Sequence, residues 1–284
     1  MSGQGISKSS YKLVPQDPTS STVIRDVVPN RITTFSAPFL RFGLLKIGGR
    51  GTVVKLKTGN LAVFSPVALT NDTKAKVQQL ASTSPAGSVR YIVALDAEHH
   101  IFLTPWSQEY PDANVVGPET LAEKRAKDPA TADTKFSHVF TPNNKHELRI
   151  TPEFDDDFEY EYIHAHQNKE IVFLHKPTRT LIQADVIFNL PATEQFSKSG
   201  EDANSGLLTR FFASIMNVRG DMKWQKRFLY YGAGASDRKA FAESVRKIQG
   251  WGEFERMIPC HGDVIERGGS RILAEATAWF TDGK

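Results

Sequence analysis

The run Val89-Arg90-Tyr91-Ile92-Val93-Ala94-Leu95 is apolar and rich in β-branched and aromatic residues, and it stops abruptly at Asp96-Ala97-Glu98-His99-His100-Ile101-Phe102. Such a run reads as a buried strand. Polar groups just past the carboxyl end of a buried strand stand where α/β proteins build their sites. Two other stretches repeat the pattern. Thr180-Leu181-Ile182-Gln183-Ala184 ends in Asp185, and Met257-Ile258-Pro259-Cys260 ends in His261-Gly262-Asp263. Three strand ends that deliver His, Asp and His point to a metal centre.

The chain of 284 residues, 40% hydrophobic and 24% charged, has room for one large α/β domain or two small ones. A net charge of +3 is too small to make nucleic acid the main partner, and no basic stripe interleaved with aromatics is present. The single cysteine, Cys260, excludes an internal disulfide framework and fits a reducing, cytoplasmic compartment. No apolar stretch has the length of a membrane span, so no membrane partner is expected. The expected partner is a small-molecule substrate, and the expected assembly a monomer or homodimer. Residues 1–30 read as a flexible N-terminal tail or surface arm, because their first part is rich in Ser, Gly, Gln and Pro. Residues 31–284 read as a single domain with a helical insertion over 191–234.

Along the chain, Phe39 to Ile47, Gly51 to Lys57 and Leu61 to Phe64 look like short strands. Gly48-Gly49-Arg50-Gly51 and Thr58-Gly59-Asn60 separate them as hairpin turns. The glycine run is not followed by a helix, which argues against a phosphate cradle, and no nucleotide cofactor is expected. Asn71 or Asp72 can cap a helix over 73–81. Short helices are expected around Pro105 to Tyr110 and Leu121 to Lys127, and extended segments at Asn114 to Val116, Phe136 to Phe140 and Glu147 to Thr151. Asp155-Asp156-Asp157 lacks the alternating ligands and glycine of a calcium loop and reads as a solvated turn. Phe158 to His166, Glu170 to His175 and Thr180 to Asp185 form an antiparallel meander, with His175 as a surface strand residue. Leu207 to Met216 is helical, and helices over Arg238 to Gln249 and Gly269 to Thr281 complete the chain. The order, strands then helices twice over, is that of two half-domains facing each other.

Five segments carry a family likeness: Leu61-Ala62-Val63-Phe64-Ser65-Pro66-Val67, the stretch from Ala94 to Ile101, His166-Gln167-Asn168-Lys169-Glu170, Leu181-Ile182-Gln183-Ala184-Asp185 and Ile258-Pro259-Cys260-His261-Gly262. From Leu44 to Asp263 the chain resembles the metallo-β-lactamase fold superfamily. The likeness is to a divergent branch with a His-His pair in place of the His-x-His-x-Asp-His motif. The resemblance implies an α/β (α+β) fold, a four-layer αββα metallo-β-lactamase-like sandwich. The strand that ends in Asp-Thr-Gly in the family ends in Ser65-Pro66-Val67 here. Without a gap, Leu95 and Ala97 stand where the first two histidines belong, His99 where the aspartate belongs, and His100 where the last histidine belongs.

In the family the first two histidines and a third-segment histidine hold one metal. The Asp-His pair and the final histidine hold the other, and an aspartate bridges both. The resemblance therefore implies a lost first site and a surviving second one, with His99, His100, Asp185 and His261 as metal ligands and His166 as a further candidate. Three nitrogens and one carboxylate suit one divalent Zn or Fe. If the alignment carries a one-residue deletion, Asp96 and Glu98 replace the first two histidines, and the oxygen-rich site prefers Mn or Fe. Asp185, Glu98 and Asp96 are the candidate catalytic carboxylates, with Asp185 orienting a water. Asp263 is the candidate to accept a proton from a ligand imidazole, and Glu170 and Arg179 the candidates for structural pairing nearby. The implied activity is metal-dependent hydrolysis of an ester, lactone, thioester or amide bond in a small organic substrate. The aromatic insertion would supply an apolar pocket. Two other readings remain open: a catalytically inactive binding or scaffold protein of the same fold, and a mononuclear-iron lyase or redox enzyme.

Overall fold

Alternation along the central strands assigns each apolar side chain to one of three layers. In the run after Arg90, Tyr91, Val93 and Leu95 join a cluster with Phe64, Phe154, Phe158 and Phe173. Ile92 and Ala94 point the other way, to Val77, Leu80, Trp106 and Leu121. In the second half of the chain Ile171 and Phe173 face the first cluster, while Val172 and Leu174 face Phe241, Val245 and Ile272. Two sheets with a shared interface, each covered by helices on its outer face, bury all three layers.

The computed structural model describes residues 11–13, 17–83 and 87–282. Its strands are β1 (Tyr11–Leu13), β2 (Val23–Val28), β3 (Ile32–Ala37), β4 (Phe39–Arg41), β5 (Leu45–Lys46), β6 (Gly49–Lys55) and β7 (Leu61–Phe64) in the first part of the chain. After them come β8 (Val89–Val93), β9 (Asn114–Pro118), β10 (His138–Phe140), β11 (Phe158–Ile163), β12 (Glu170–His175), β13 (Thr180–Ile182) and β14 (Arg256–Ile258). The helices are α1 (Pro18–Ser21), α2 (Asn71–Ser82), α3 (Leu103–Glu109), α4 (Glu119–Lys127) and α5 (Pro152–Asp157), then α6 (Thr193–Phe196), α7 (Leu207–Ile215), α8 (Lys223–Phe228), α9 (Arg238–Gln249) and α10 (Gly269–Thr281). A seven-stranded sheet runs β10-β9-β8-β7-β6-β3-β2, and a four-stranded sheet runs β11-β12-β13-β14. A small third sheet is β1-β4-β5. β8 is parallel to both β7 and β9, and β13 is parallel to β14, so the chain leaves these strands in common directions.

The helix ends show local chemistry at work. α2 is capped by Thr70, one residue before the expected Asn71 or Asp72. Its hydroxyl accepts from the Thr73 N–H, and the Thr73 hydroxyl accepts from the Thr70 N–H in return. α9 is capped by Asp237, whose side chain accepts from the Ala240 N–H.

Several expectations need correction. Of residues 1–30, Val23–Val28 are no tail: they form the edge strand of the large sheet, antiparallel to β3. Pro18–Ser21 is a helical turn and Tyr11–Leu13 pairs with β4. The rest of the expected tail, 1–10 and 14–16, lies outside the described residues. Gly49, Arg50 and Gly51 are not a turn but the start of β6, opposite Ala37, Ser36 and Phe35. Asp155–Asp157 closes α5, with Asp157 buried against the Lys57 backbone N–H. Residues 147–151 form no strand. His175 is fully buried between β11 and β13, its Nδ1 paired with the Thr178 hydroxyl and its Nε2 without a partner.

Burial, with Arg31 and Lys57 nearby, holds the His175 pKa down at about 4, against an ordinary 6.5. Above pH 6.5 both folded and unfolded chains keep it neutral. Between pH 6.5 and 4 only the unfolded chain takes up the proton, so stability falls across that window. His175→Gln is expected to flatten the urea-unfolding profile between those pH values, by up to about 3 kcal/mol at pH 4. An unchanged pH profile would contradict this burial.

Candidate metal centre

The three strand ends meet. β8 continues through Ala94, Leu95 and Asp96 to His99, β13 through Gln183 and Ala184 to Asp185, and β14 through Pro259 and Cys260 to His261. One ligand atom from each of His99, Asp185 and His261 lies within 4.8 Å of the other two. His99 Nε2 is 3.0 Å from His261 Nε2, and His261 Nε2 is 3.3 Å from Asp185 Oδ1.

Each of the three is held from behind. His99 Nδ1 sits 2.9 and 3.0 Å from the two oxygens of buried Asp96, so Nδ1 carries the proton that the carboxylate accepts. Asp96 also accepts from the backbone N–H groups of Glu98 and His99, which folds the chain back after β8. His261 Nδ1 donates to the Gly48 carbonyl at 2.7 Å, which leaves Nε2 as the lone-pair nitrogen. Its ring also stacks against Phe188 and Phe39. Asp185 Oδ2 accepts from the Asn168 amide at 2.6 Å, and Asp185 Oδ1 is buried with no hydrogen-bond partner. A buried, unpartnered carboxylate oxygen facing two imidazole nitrogens is a donor set built for a cation.

The loop Pro259–Gly262 that carries His261 is clamped by distant residues. Arg50, fully enclosed, donates to the Pro259 and Gly262 carbonyls at 2.7 and 2.6 Å and to Ser36, and pairs with Glu194. Gln195 donates to the Cys260 carbonyl and accepts from the Gly262 N–H. Gly262 has φ +84°, and a Cβ there would lie 2.2 Å from the Asn189 carbonyl oxygen, so only glycine fits. Glu170 accepts from the Ala184 and Asp185 backbone N–H groups and so fixes the strand end that presents Asp185.

The charges are strongly coupled. Burial alone would push the His99 imidazolium down; Asp96 and Asp185 outweigh it and raise the pKa to about 10. Against its own burial, Asp96 is lowered to about 2 by His99. Burial and the His99 charge hold His261 at about 4. A cation in the centre therefore competes with the His99 proton, and its binding weakens as pH falls.

Other expected site residues lie elsewhere. His100 is turned away: its Nδ1 accepts from Arg125 at 3.1 Å and its Nε2 faces Lys124, both on α4. Burial and those two cations hold its pKa at about 4. His166 is fully buried but outside the group of three; its Nδ1 accepts from the Asn168 N–H and its Nε2 has no partner. Asp96 supports His99 rather than joining the group, and Glu98 lines the adjoining pocket in an ion pair with Arg41. Asp263 meets no imidazole: it accepts from the Glu194 N–H at the start of α6. Arg179 ties to the Trp251 and Glu253 carbonyls, in the loop between α9 and β14. The pocket beside His99 and His261 is walled by Pro38, Phe39, Pro66, Val67, Ile101 and Phe102, with Pro18 and Ser21 from the N-terminal segment. Residues 191–234 do not line it; Phe212 and Phe228 pack against Phe188 instead. Asn168, Arg50, Gln195, Gly48 and Phe188 carry no site motif in the sequence. Only Asn168 stands within a site segment, between His166 and Glu170. His100→Ala is expected to leave metal content at the wild-type value by elemental analysis, and a loss would put His100 back among the ligands.

The family described as Domain of unknown function (DUF4336) matches residues 42–209. No curated protein matches the chain. Among solved structures, a metallo-β-lactamase from Pontibacter korlensis is similar, with a TM-score of 0.54 at 10% identity over 93% of this chain and 100% of that one. The DIM-1 metallo-β-lactamase gives 0.56 at 11% identity over 92% and 97%. A flavo di-iron protein from Thermotoga maritima gives 0.54 at 11% identity over 91% of this chain and 62% of its own. The fold is the metallo-β-lactamase fold, as the family resemblance implied.

Proposed function

We propose that this chain, which belongs to the DUF4336 family and has the metallo-β-lactamase fold, is a metal-dependent hydrolase. Its target would be an ester, lactone, thioester or amide bond in a small organic substrate. The observation that carries the reading is the convergence of His99 Nε2, His261 Nε2 and Asp185 Oδ1 beside an apolar pocket. Two imidazoles and one carboxylate fit a catalytic zinc or an iron ion, because three protein ligands leave a position open. When bound, such an ion supplies Lewis-acid polarisation of a carbonyl and lowers the pKa of a water. The residues do the rest. Asp96 and the Gly48 carbonyl hold the two imidazoles in the ligand tautomer, and Asn168 keeps Oδ1 of Asp185 turned inward. Glu98, on the pocket wall and ion-paired with Arg41, would be the carboxylate that accepts a proton from a water at the ion. The apolar wall excludes bulk water around the reacting carbonyl. The single, buried Cys260 supports a reducing compartment.

Loading the purified protein with Zn²⁺, Mn²⁺ or Fe²⁺ and assaying p-nitrophenyl acetate, a γ-lactone, a thioester and an anilide tests this. Turnover is expected to depend on the ion and to fall at least about 100-fold in Asp185→Asn, in line with loss of a ligand that holds the ion. No metal-dependent turnover of any of the four would sink the reading. One observation favours a second reading: two histidines and one carboxylate are also the facial set of mononuclear iron enzymes. An O₂-sensitive ferrous form without hydrolysis would select it.

A further inference from the structure

The pocket wall does not end at the pocket. Phe39 and Arg41 of β4 line it, and the same hairpin carries Phe42 and Leu44 at its tip, 60% and 63% exposed. Phe42 adopts φ +55°, a left-handed conformation that a bulky residue rarely takes, and its ring lies 5.1 Å from the Arg41 guanidinium. Helix α7 runs beside this hairpin. The Thr209 hydroxyl donates to the Leu44 carbonyl and accepts from the Lys46 N–H. The inner face of α7, Phe212 and Ile215, packs against the same buried cluster as Phe39 and Leu45. Its outer face carries Leu207, Leu208 and Phe211, exposed by 83%, 61% and 62%. Single exposed leucines are ordinary; five large apolar side chains on two touching elements that adjoin an apolar pocket are not.

We propose that this strip is the acyl-chain subsite of the enzyme, and that the substrate is an ester of a medium- or long-chain carboxylic acid. The chain lies over Phe42, Leu44, Leu208 and Phe211, and the carbonyl enters the pocket beside His99 and His261. Continuity selects this occupant, because Phe39 on the pocket wall and Phe42 and Leu44 at the exposed tip stand on one hairpin. A protein partner would cover the strip but would not need the wall inside the pocket. In the reaction, the acyl C–O bond breaks and a C–O bond to water forms. One proton of the water passes to the leaving alcohol and the other to the solvent, as the carboxylate product ionises.

The identity of the reacting bond rests on the hydrolase reading, but the strip can be tested without turnover. Binding of 11-(dansylamino)undecanoic acid, and its displacement by straight-chain acids from C4 to C14, is measured on wild type, Phe42→Ser, Leu208→Ser and the double variant. Displacement is expected to strengthen with length, by up to about fourfold per buried methylene. It should weaken at least tenfold in Phe42→Ser combined with Leu208→Ser. Both serine substitutions are at exposed positions, and circular dichroism checks that they fold. Length-independent binding, or equal binding by the double variant, would overturn the proposal. So would a wild-type dimer that the double variant dissolves, which would assign the strip to a second copy. Cosedimentation with phosphatidylcholine–phosphatidylglycerol vesicles without fatty-acid binding would assign it to a lipid surface and overturn the proposal as well. Length-dependent binding with no turnover of p-nitrophenyl butyrate or laurate would remove the hydrolase reading and keep the strip. Turnover of the butyrate without length-dependent binding would do the reverse.

Discussion

His261→Ala, loaded with Zn²⁺ and then dialysed, is expected to hold less than a tenth of the metal that wild type holds, and His99→Ala and Asp185→Ala the same. Among the described residues these three side chains are the group whose ligand atoms converge. Loss of one leaves two donors and an open shell. Removing a group that merely supports a ligand costs about 10–100-fold in affinity, so removing a ligand itself should cost at least about 100-fold. Asp96→Asn gives the intermediate case. It keeps the shape behind His99 but removes the charge that holds its Nδ1 proton, and should weaken binding by about 10–100-fold. Elemental analysis reads all four. A His261→Ala protein with one tightly held ion per chain would remove this centre as the metal site.

Arg50→Met is expected to destabilise the fold by about 3–5 kcal/mol, the cost of breaking a buried ion pair on one side. The guanidinium is fully enclosed, and burial pushes its pKa down despite the Glu194 and Asp263 charges. Methionine fills much of the volume but makes none of the bonds. The Pro259 and Gly262 carbonyls lose their donor, and Glu194 keeps only Arg25 and Ser36. Those carbonyls flank His261, so the variant should also bind metal more weakly under conditions where it remains folded. A urea-unfolding midpoint within error of wild type would show that Arg50 is not a structural clamp.

Much of the fold was legible because burial writes a local signal. The strands of the meander, the helix behind Asp237 and the final helix follow from periodicity and caps within a few residues. The edge strand Val23–Val28 was missed because its burial pattern is mostly intermediate and polar residues interrupt it. Gly49-Arg50-Gly51 reads as a turn because glycines usually mark one. Here Gly51 allows β6 to run close to the Ser65–Val67 backbone, a contact no local pattern announces.

The centre divides along the same line. That His99, Asp185 and His261 stand at strand ends is a property of each segment by itself: an apolar run sets the strand, and the strand ends where the polar residues begin. That His99 turns inward and its neighbour His100 outward was settled by Arg125 and Lys124, on a helix outside that segment. The pocket wall came from Phe39, Pro66 and Phe102 rather than from the aromatic insertion. Alternation and capping depend on neighbours a few positions apart, so the sequence alone carries them. A ligand shell closes between residues 162 positions apart, such as His99 and His261, and only the packing of one sheet on the other decides which side chains face across that gap.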